Sequence, residues 1–514
     1  MNLRIKPLDA ILATAEKKSL HRSLGAVQLT LLGVGAVVGT GIFVLTAEAA
    51  QKAGPGMMIS FIIAGFVCAV AALCYSELAS MVPVSGSAYT YTYAVMGELL
   101  AWMVGWALIL EYAVAASAVS VGWSGYIVGL IRDSLGITIP AALANGPYAG
   151  GIVNIPAMFI ALLVTCLLVA GTTESARVNA FLVAIKVLAL TLFIVITLPL
   201  IRGENFQPFL PNGWGVIGVG GAAASIFFAY VGFDAVSTAA EETRNPQRNV
   251  PIGLIGSLVI CTVLYMLVAA GATGVNGAQP VTSADGGVLM PGTAALAERC
   301  REIVASGGPE PLSCSKEALA HVLKFAGYDW AGYILGLAAG LALPSVILMM
   351  LFGQTRIFFV MARDGLLPEK LASIHPRWKT PHVVTFITGG VVAIAAAFFP
   401  VGQLADISNS GTLFAFFMVS VAVLVLRRTD PGRHRPFRTP AVWVVAPLAA
   451  VGCVVLYMLL TPIAKLILPV WGAIGLVFYF AYGYRKSHVA RGLIETHEED
   501  SDAPPPPVPP APHF

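Results

Sequence analysis

Gly33-Val34-Gly35-Ala36-Val37-Val38-Gly39-Thr40-Gly41-Ile42-Phe43 lies in the middle of the first long apolar run of the chain. A helix crossing lipid must satisfy its own backbone hydrogen bonds. A Gly-Thr-Gly interruption at membrane depth is therefore tolerated only where the freed groups face protein, water or a ligand. The stretch predicts a broken transmembrane helix with a binding site at the break.

The rest of the chain agrees with a membrane setting. Of its 514 residues, 57% are hydrophobic and 11% charged, against about 25% charged in soluble domains; the mean hydropathy is +0.81. Apolar runs of spanning length, about 20 residues, recur at roughly 27–50, 56–80, 99–130, 153–171, 178–201, 215–240, 251–275, 331–355, 382–400, 405–426, 441–461 and 466–484. These predict an all-α polytopic membrane protein with twelve transmembrane helices. The 26 leading residues are polar and amphipathic, so the first span itself is expected to direct insertion rather than a signal peptide. With the N-terminus inside, 21 Lys and Arg fall on inside segments, eight outside, and Lys186 within a span. The positive-inside rule then places both termini in the cytoplasm.

Residues 1–26, with Lys17, Lys18, His21 and Arg22, read as a cytoplasmic amphipathic segment on the membrane surface. The membrane domain covers 27–486. The tail 487–514, acidic and then rich in proline, has too little apolar content to fold. Cys68, Cys74, Cys166, Cys261 and Cys453 fall in apolar spans and pack as small hydrophobes. Cys300 and Cys314 lie in the one long loop, 276–328, on the oxidising side; they form either a loop-closing disulfide or two free thiols.

A second glycine-interrupted run begins about 190 residues after the first: Gly215 to Gly221, then Ala222-Ala223-Ala224-Ser225-Ile226-Phe227-Phe228-Ala229-Tyr230-Val231-Gly232-Phe233-Asp234. Paired interrupted spans in two halves point to a secondary transporter built from repeats. Five spans separate their starts, so the second copy begins on the opposite side of the membrane. The expected architecture is a 5+5 inverted repeat with spans 1 and 6 broken, plus two extra helices.

Three segments carry a resemblance: Gly39 to Phe43, Tyr75-Ser76-Glu77-Leu78-Ala79-Ser80-Met81-Val82-Pro83-Val84-Ser85-Gly86-Ser87-Ala88-Tyr89, and Phe228 to Gly232 followed by Glu241 to Pro251. Gln354-Thr355-Arg356, Met361 to Gly365 and Ser408-Asn409-Ser410-Gly411-Thr412 extend it. The chain resembles the amino acid-polyamine-organocation superfamily over nearly residues 20–490, and within it the bacterial members of the cationic amino acid transporter family. That resemblance implies a multi-pass protein of a bacterial inner membrane, carrying amino acids by alternating access.

The first span runs inside to outside, so its outer half presents an N-terminus with unpaired N–H groups and a positive dipole end. Gly39 opens the break; the Thr40 and Gly41 amides and the Thr40 hydroxyl are the donors expected to hold a substrate carboxylate. The sixth span runs the other way and leaves carbonyls near Phe228 and Ala229 for an α-ammonium group, with Val37 and Val231 as further acceptors. The resemblance implies that Phe228 is an aromatic gate over the substrate. It also implies that Met350 stands where transporters of cationic amino acids have a smaller residue, which favours small neutral side chains. Glu111, mid-span in the third helix, either pairs with a cationic substrate side chain or has a structural partner in the bundle.

Lys186 sits about 12 Å along the fifth helix. Charge at that depth costs at least a few kcal/mol and marks a pathway or relay, unless the side chain snorkels to the cytoplasmic surface, which a depth of about 12 Å allows only for a tilted helix. The resemblance implies that its ammonium occupies the place where sodium-coupled relatives bind sodium, bridging the carbonyls of the first break to the eighth helix through Ser345. Glu77 and Asp234, with Glu241 and Glu242, are expected to tie cytoplasmic loops to Arg244, Arg248, Arg356 or Arg363. The expected function is proton-coupled import of small neutral L-amino acids, or of cationic ones. The alternatives are an exchanger or sodium symporter of the same fold, and an amino acid-sensing receptor that does not transport. The expected partners are the amino acid and the bilayer, with no nucleic acid, no metal and no cofactor beyond the proton. No phosphate loop, metal cluster or nucleophile with its base supports an enzyme.

Overall fold

The computed structural model describes residues 24–82, 87–171, 176–238, 243–373, 375, 378, 380–489 and 491–492. Nearly all of the expected N-terminal amphipathic segment, most of the Pro-rich tail, Pro83 to Gly86, Glu241 and Glu242 lie outside the described residues.

Among the described residues the regular structure is entirely helical. The helices that matter for the site are α1 (Ala26–Val37), α2 (Thr40–Phe43), α3 (Leu45–Ala53), α4 (Met57–Met81), α5 (Glu98–Leu135), α6 (Ile155–Val169), α7 (Ala176–Thr197), α8 (Val219–Ile226), α9 (Ala235–Thr238), α10 (Pro246–Asn276), α11 (Asp329–Arg363), α12 (His382–Phe398), α13 (Val401–Thr429), α14 (Val442–Leu459) and α15 (Pro462–Phe478). Eight described helices are long and apolar enough to cross a membrane, and four shorter apolar ones cover 26–37, 155–169, 219–230 and 382–398. The chain is a multi-pass membrane protein.

Burial separates a centre from a periphery. In the most apolar windows of α5 and α13, 78% and 72% of residues are buried, against 28% in α14 and 22% in the final helix, Pro462–Lys486. α5 is central because small residues let neighbours approach it, as packing between membrane helices requires. A Cβ at Gly105 would stand 2.7 Å from the Met361 sulfur of α11, and one at Gly122 would stand 2.6 Å from the Thr40 methyl. α15 is fastened to α5 by two buried tryptophans and a half-buried one, each of which finds a backbone partner. Trp102 Nε1 donates to Gly475 O at 2.9 Å, Trp106 Nε1 to Trp471 O at 2.8 Å, and Trp471 Nε1 to Trp106 O at 2.7 Å.

At the end of the bundle rich in Arg and Lys, the partners of Glu77 differ from those expected. Its carboxylate accepts from Arg427 through both oxygens at 2.8 Å, lies 3.2 Å from Arg435 Nε, and accepts from the Thr439 amide at 2.8 Å. The C-terminal end of α4 packs beside α13 and the segment that follows it, so those arginines reach Glu77. The bidentate fork also fits a carboxylate better than a point charge does.

Candidate substrate site

The first span breaks within the glycine-rich stretch, at Val38 and Gly39. α1 ends at Val37, Val38 is extended (φ −72°, ψ 99°), Gly39 is also non-helical (φ −155°, ψ −147°), and the helix restarts at Thr40. Ile42 and Phe43 donate to Gly39 O at 3.2 and 3.3 Å. Thr40 and Gly41 thus occupy the first turn of the new segment, where helix amides lack intrahelical acceptors. Thr40 is 1% exposed, and its Oγ1 has no hydrogen-bond partner. A buried hydroxyl without a partner is costly, so this group is available to a ligand.

The sixth span is interrupted at Val231 and Gly232, inside the run quoted for it. α8 tightens into a 3-10 turn over Phe227–Tyr230, Val231 is extended (ψ 138°), Gly232 takes φ +109°, and α9 follows. Only glycine adopts that φ without strain. The two breaks meet. A Cβ at Gly41 would lie 2.2 Å from Ala229 Cα, and one at Gly232 would lie 3.0 Å from Ala36 O. From α11, the Val346 methyls stand 3.5 and 3.7 Å from the Cβ position of Gly39.

The carbonyls released by the breaks are held by specific donors. Lys186, 1% exposed on α7, donates from Nζ to Gly35 O at 2.8 Å. The Tyr265 hydroxyl on α10 lies 3.0 Å from Val37 O and 2.9 Å from Ala229 O. Asn409 Nδ2 on α13 donates to Ala224 O and Ser225 O at 2.8 and 3.0 Å, and Phe228 O accepts the Val231 amide at 3.2 Å. Tyr126 on α5 donates to Phe43 O at 2.7 Å. Gly39, Thr40, Gly41, Val37, Ala229 and Lys186 therefore belong to one locus, and Val231 and Phe228 flank it on the sixth span.

Other expected site residues lie around it. Phe228 and Met350 are buried at 5% and 4% exposure. Met350 is one turn beyond Val346 and shares its face of α11. Ser345 donates its hydroxyl within its own helix, to Ala342 O at 2.7 Å. Glu111 is buried on α5, eleven residues or roughly 16 Å from Gly122, which packs on Thr40. It faces α13. A Cβ at Gly411 would lie 3.1 Å from its Cβ, Ser408 donates to its backbone carbonyl at 3.2 Å, and its Oε2 has no hydrogen-bond partner. Asp234 is buried near Tyr112, whose hydroxyl is 3.5 Å from Oδ2. In the long loop Cys300 and Cys314 are disulfide-bonded; Cys68, Cys74, Cys261 and Cys453 are buried free thiols, and Cys166 is exposed.

Tyr265, Tyr126, Val346 and Asn409 were not singled out as site residues from sequence. A tyrosine in an apolar span announces a hydroxyl that needs a partner, and that signal was present at both Tyr265 and Tyr126. Asn409 stands within the Ser408 to Thr412 motif. Val346 is one valine among many apolar residues.

Residues 24–481 match the amino acid permease family. The chain belongs to that family, within the amino acid-polyamine-organocation superfamily. Among relatives, this permease is 45% identical over 483 residues to the branched-chain amino acid permease BcaP of Bacillus subtilis (strain 168), covering 93% of this chain and 97% of the relative. It is 42% identical over 487 residues to the methylthioribose transporter of the same organism, covering 94% and 98%. The vacuolar cationic amino acid transporter 4 of Arabidopsis thaliana is 36% identical over 424 residues, covering 80% of this chain and 64% of the relative.

Proposed function

We propose that this permease is a twelve-span, proton-coupled importer of neutral L-amino acids with short apolar side chains, built as a 5+5 inverted repeat with both termini cytoplasmic. The observation that carries the reading is the meeting of two helix interruptions at Gly41 and Ala229, with the Lys186 ammonium on the Gly35 carbonyl beside them. First-turn amides at Thr40 and Gly41 and the unpartnered Thr40 hydroxyl suit a carboxylate. Carbonyls at Val37 and Ala229 suit an α-ammonium. Val346 and Met350 make the neighbouring wall apolar, which favours aliphatic side chains over cationic ones. The relative named for branched-chain amino acids supports that class.

In this reading Lys186 carries the coupling proton. Protonated, it holds the end of α1; deprotonated, it releases Gly35 and lets the first span adopt its other arrangement, so a proton entering with substrate biases the conformational equilibrium. The built-in ammonium argues against a sodium symporter.

A second reading is uptake of methylthioribose, favoured by the relative of that name at 42% identity over nearly the whole chain. Both substrates carry a short apolar tail, and they differ in the head group. The test is uptake by purified protein in liposomes of labelled leucine, isoleucine, valine, arginine, lysine and methylthioribose, under an imposed proton gradient, a sodium gradient or neither. Aliphatic amino acid accumulation driven by protons alone is expected. Uptake only against preloaded amino acid would make it an exchanger, sodium dependence a symporter of that ion, and binding without uptake a receptor.

A further inference from the structure

One hydroxyl touches both broken helices. Tyr265 is fully buried, and its ring is fixed edge-on to Tyr230 (centroids 5.4 Å apart) and tilted against Phe61 (5.9 Å). Its oxygen lies 3.0 Å from the carbonyl of Val37, the last residue of α1, and 2.9 Å from that of Ala229 in the turn closing the outer part of the sixth span. The two carbonyl oxygens can therefore be no farther apart than these two contacts laid end to end.

A phenol has a single proton to donate, whereas each carbonyl has two lone pairs. Tyr265 alone leaves this pair of acceptors short of donors in a buried place, and a primary ammonium, with three N–H groups, supplies what is missing. Lys186 gives one of its N–H groups to Gly35 O. We propose that Tyr265 is the positioning residue of the ammonium half of the site: it sets the spacing of the Val37 and Ala229 carbonyls so that one α-ammonium group bonds to both. This inference rests on the reading of the chain as an α-amino acid transporter. It also divides labour on α1: in the proposed function Lys186 carries the coupling proton, whereas the neutral Tyr265 hydroxyl spaces the carbonyls. Tyr265 governs selection of the head group and leaves the proton dependence to Lys186.

The experiment uses the full chain in liposomes. Tyr265→Phe keeps the ring contacts and removes the donor. Leucine uptake is measured together with its inhibition by 2-hydroxyisocaproate, which has the same side chain and carboxylate but no ammonium. The variant is expected to raise KM for leucine at least tenfold, to reduce the preference for leucine over the hydroxy acid at least tenfold, and to keep the wild-type dependence on pH. An unchanged preference, with only kcat or thermal stability lowered, would overturn the proposal and leave Tyr265 a packing residue. A second measurement needs no variant: on wild type, N-methylleucine, with two N–H donors, should inhibit within a few-fold of leucine, and N,N-dimethylleucine, with one, at least tenfold more weakly. Equal inhibition by both would also overturn it. Failure of the wild type to transport any α-amino acid would remove the underlying reading as well, whereas leucine transport with unchanged head-group preference removes only the role of Tyr265.

Discussion

Gly41 and Ala229 are in contact through their backbones: a Cβ added at Gly41 would fall 2.2 Å from the α-carbon of Ala229 and 2.5 Å from its methyl. The obstacle is backbone, which cannot swing aside as a long side chain can. Gly41→Ala is therefore expected to force the two breaks apart and to lower substrate uptake at least a hundredfold. Gly39→Ala, two residues away, places its methyl 3.5 Å from a Val346 methyl, an ordinary contact, and should retain uptake within about tenfold. The contrast is read by uptake in liposomes, normalised to correctly folded protein; equal losses in the two variants would refute it.

Lys186 bonds to the carbonyl two residues before the end of α1. Replacing it with Ala removes the only titratable group of the proposed coupling step. Accumulation of amino acid against its gradient, driven by a proton gradient, should disappear, while exchange of internal for external substrate continues at a measurable rate. Unchanged proton-driven accumulation in Lys186→Ala would show that coupling lies elsewhere, for which Glu111 and Asp234 are the buried acidic groups to examine next.

Met350 shares a face of α11 with Val346, which touches the Cβ position of Gly39. Met350→Ser shortens the side chain and replaces a thioether by a hydroxyl. The variant should accept longer or cationic side chains, with arginine or lysine uptake rising at least fivefold relative to leucine in a competition panel. Arginine preference in the wild type would count against the role assigned to this methionine.

Away from the basic end, Lys52 of α3 and Asp406 of α13 form a buried ion pair, 3.7 Å apart with side-chain exposures of 7% and 1%. The Ser225 hydroxyl of α8 is hydrogen-bonded to Lys52 and donates to Asp406 at 2.6 Å. Breaking such a pair from one side strands a buried charge, at a cost of about 3–5 kcal/mol, whereas replacing both partners by apolar residues of similar volume is often neutral. Asp406→Asn should lower the melting temperature in detergent clearly, and Lys52→Met with Asp406→Leu should restore most of the loss. A double variant no better than the single one would show that the pair is not what fastens these helices.

The physical content of particular residues explains what could be read in advance. Gly-Thr-Gly at 39–41 was legible because membrane depth leaves so few uses for an interruption, and Lys186 because charge in a span is costly enough to need a reason. Two cysteines alone in a long loop are legible as a candidate pair, but sequence does not separate a disulfide from two free thiols; the Cys300–Cys314 bond does. Glu77 pairs with Arg427 and Arg435, some 350 residues distant, and not with the arginines expected from sequence. Charge specifies that a partner is needed and says nothing about which one arrives.

The membrane class, the apolar runs, the two interrupted spans and the residue types that free donors and acceptors there are all legible in the amino-acid sequence. These follow from one-dimensional quantities: hydropathy over a span length, and the few residues able to break a helix. It takes the folded bundle to show that the two breaks touch at Gly41 and Ala229, that Tyr265 bonds to both of them, that Asn409 takes carbonyls of α8, and that Glu111 faces α13 roughly three turns from Gly122, which packs on Thr40. Each of these depends on which helix lies against which, a choice made by the packing of small residues between distant segments. No local signal in an apolar helix specifies its neighbour.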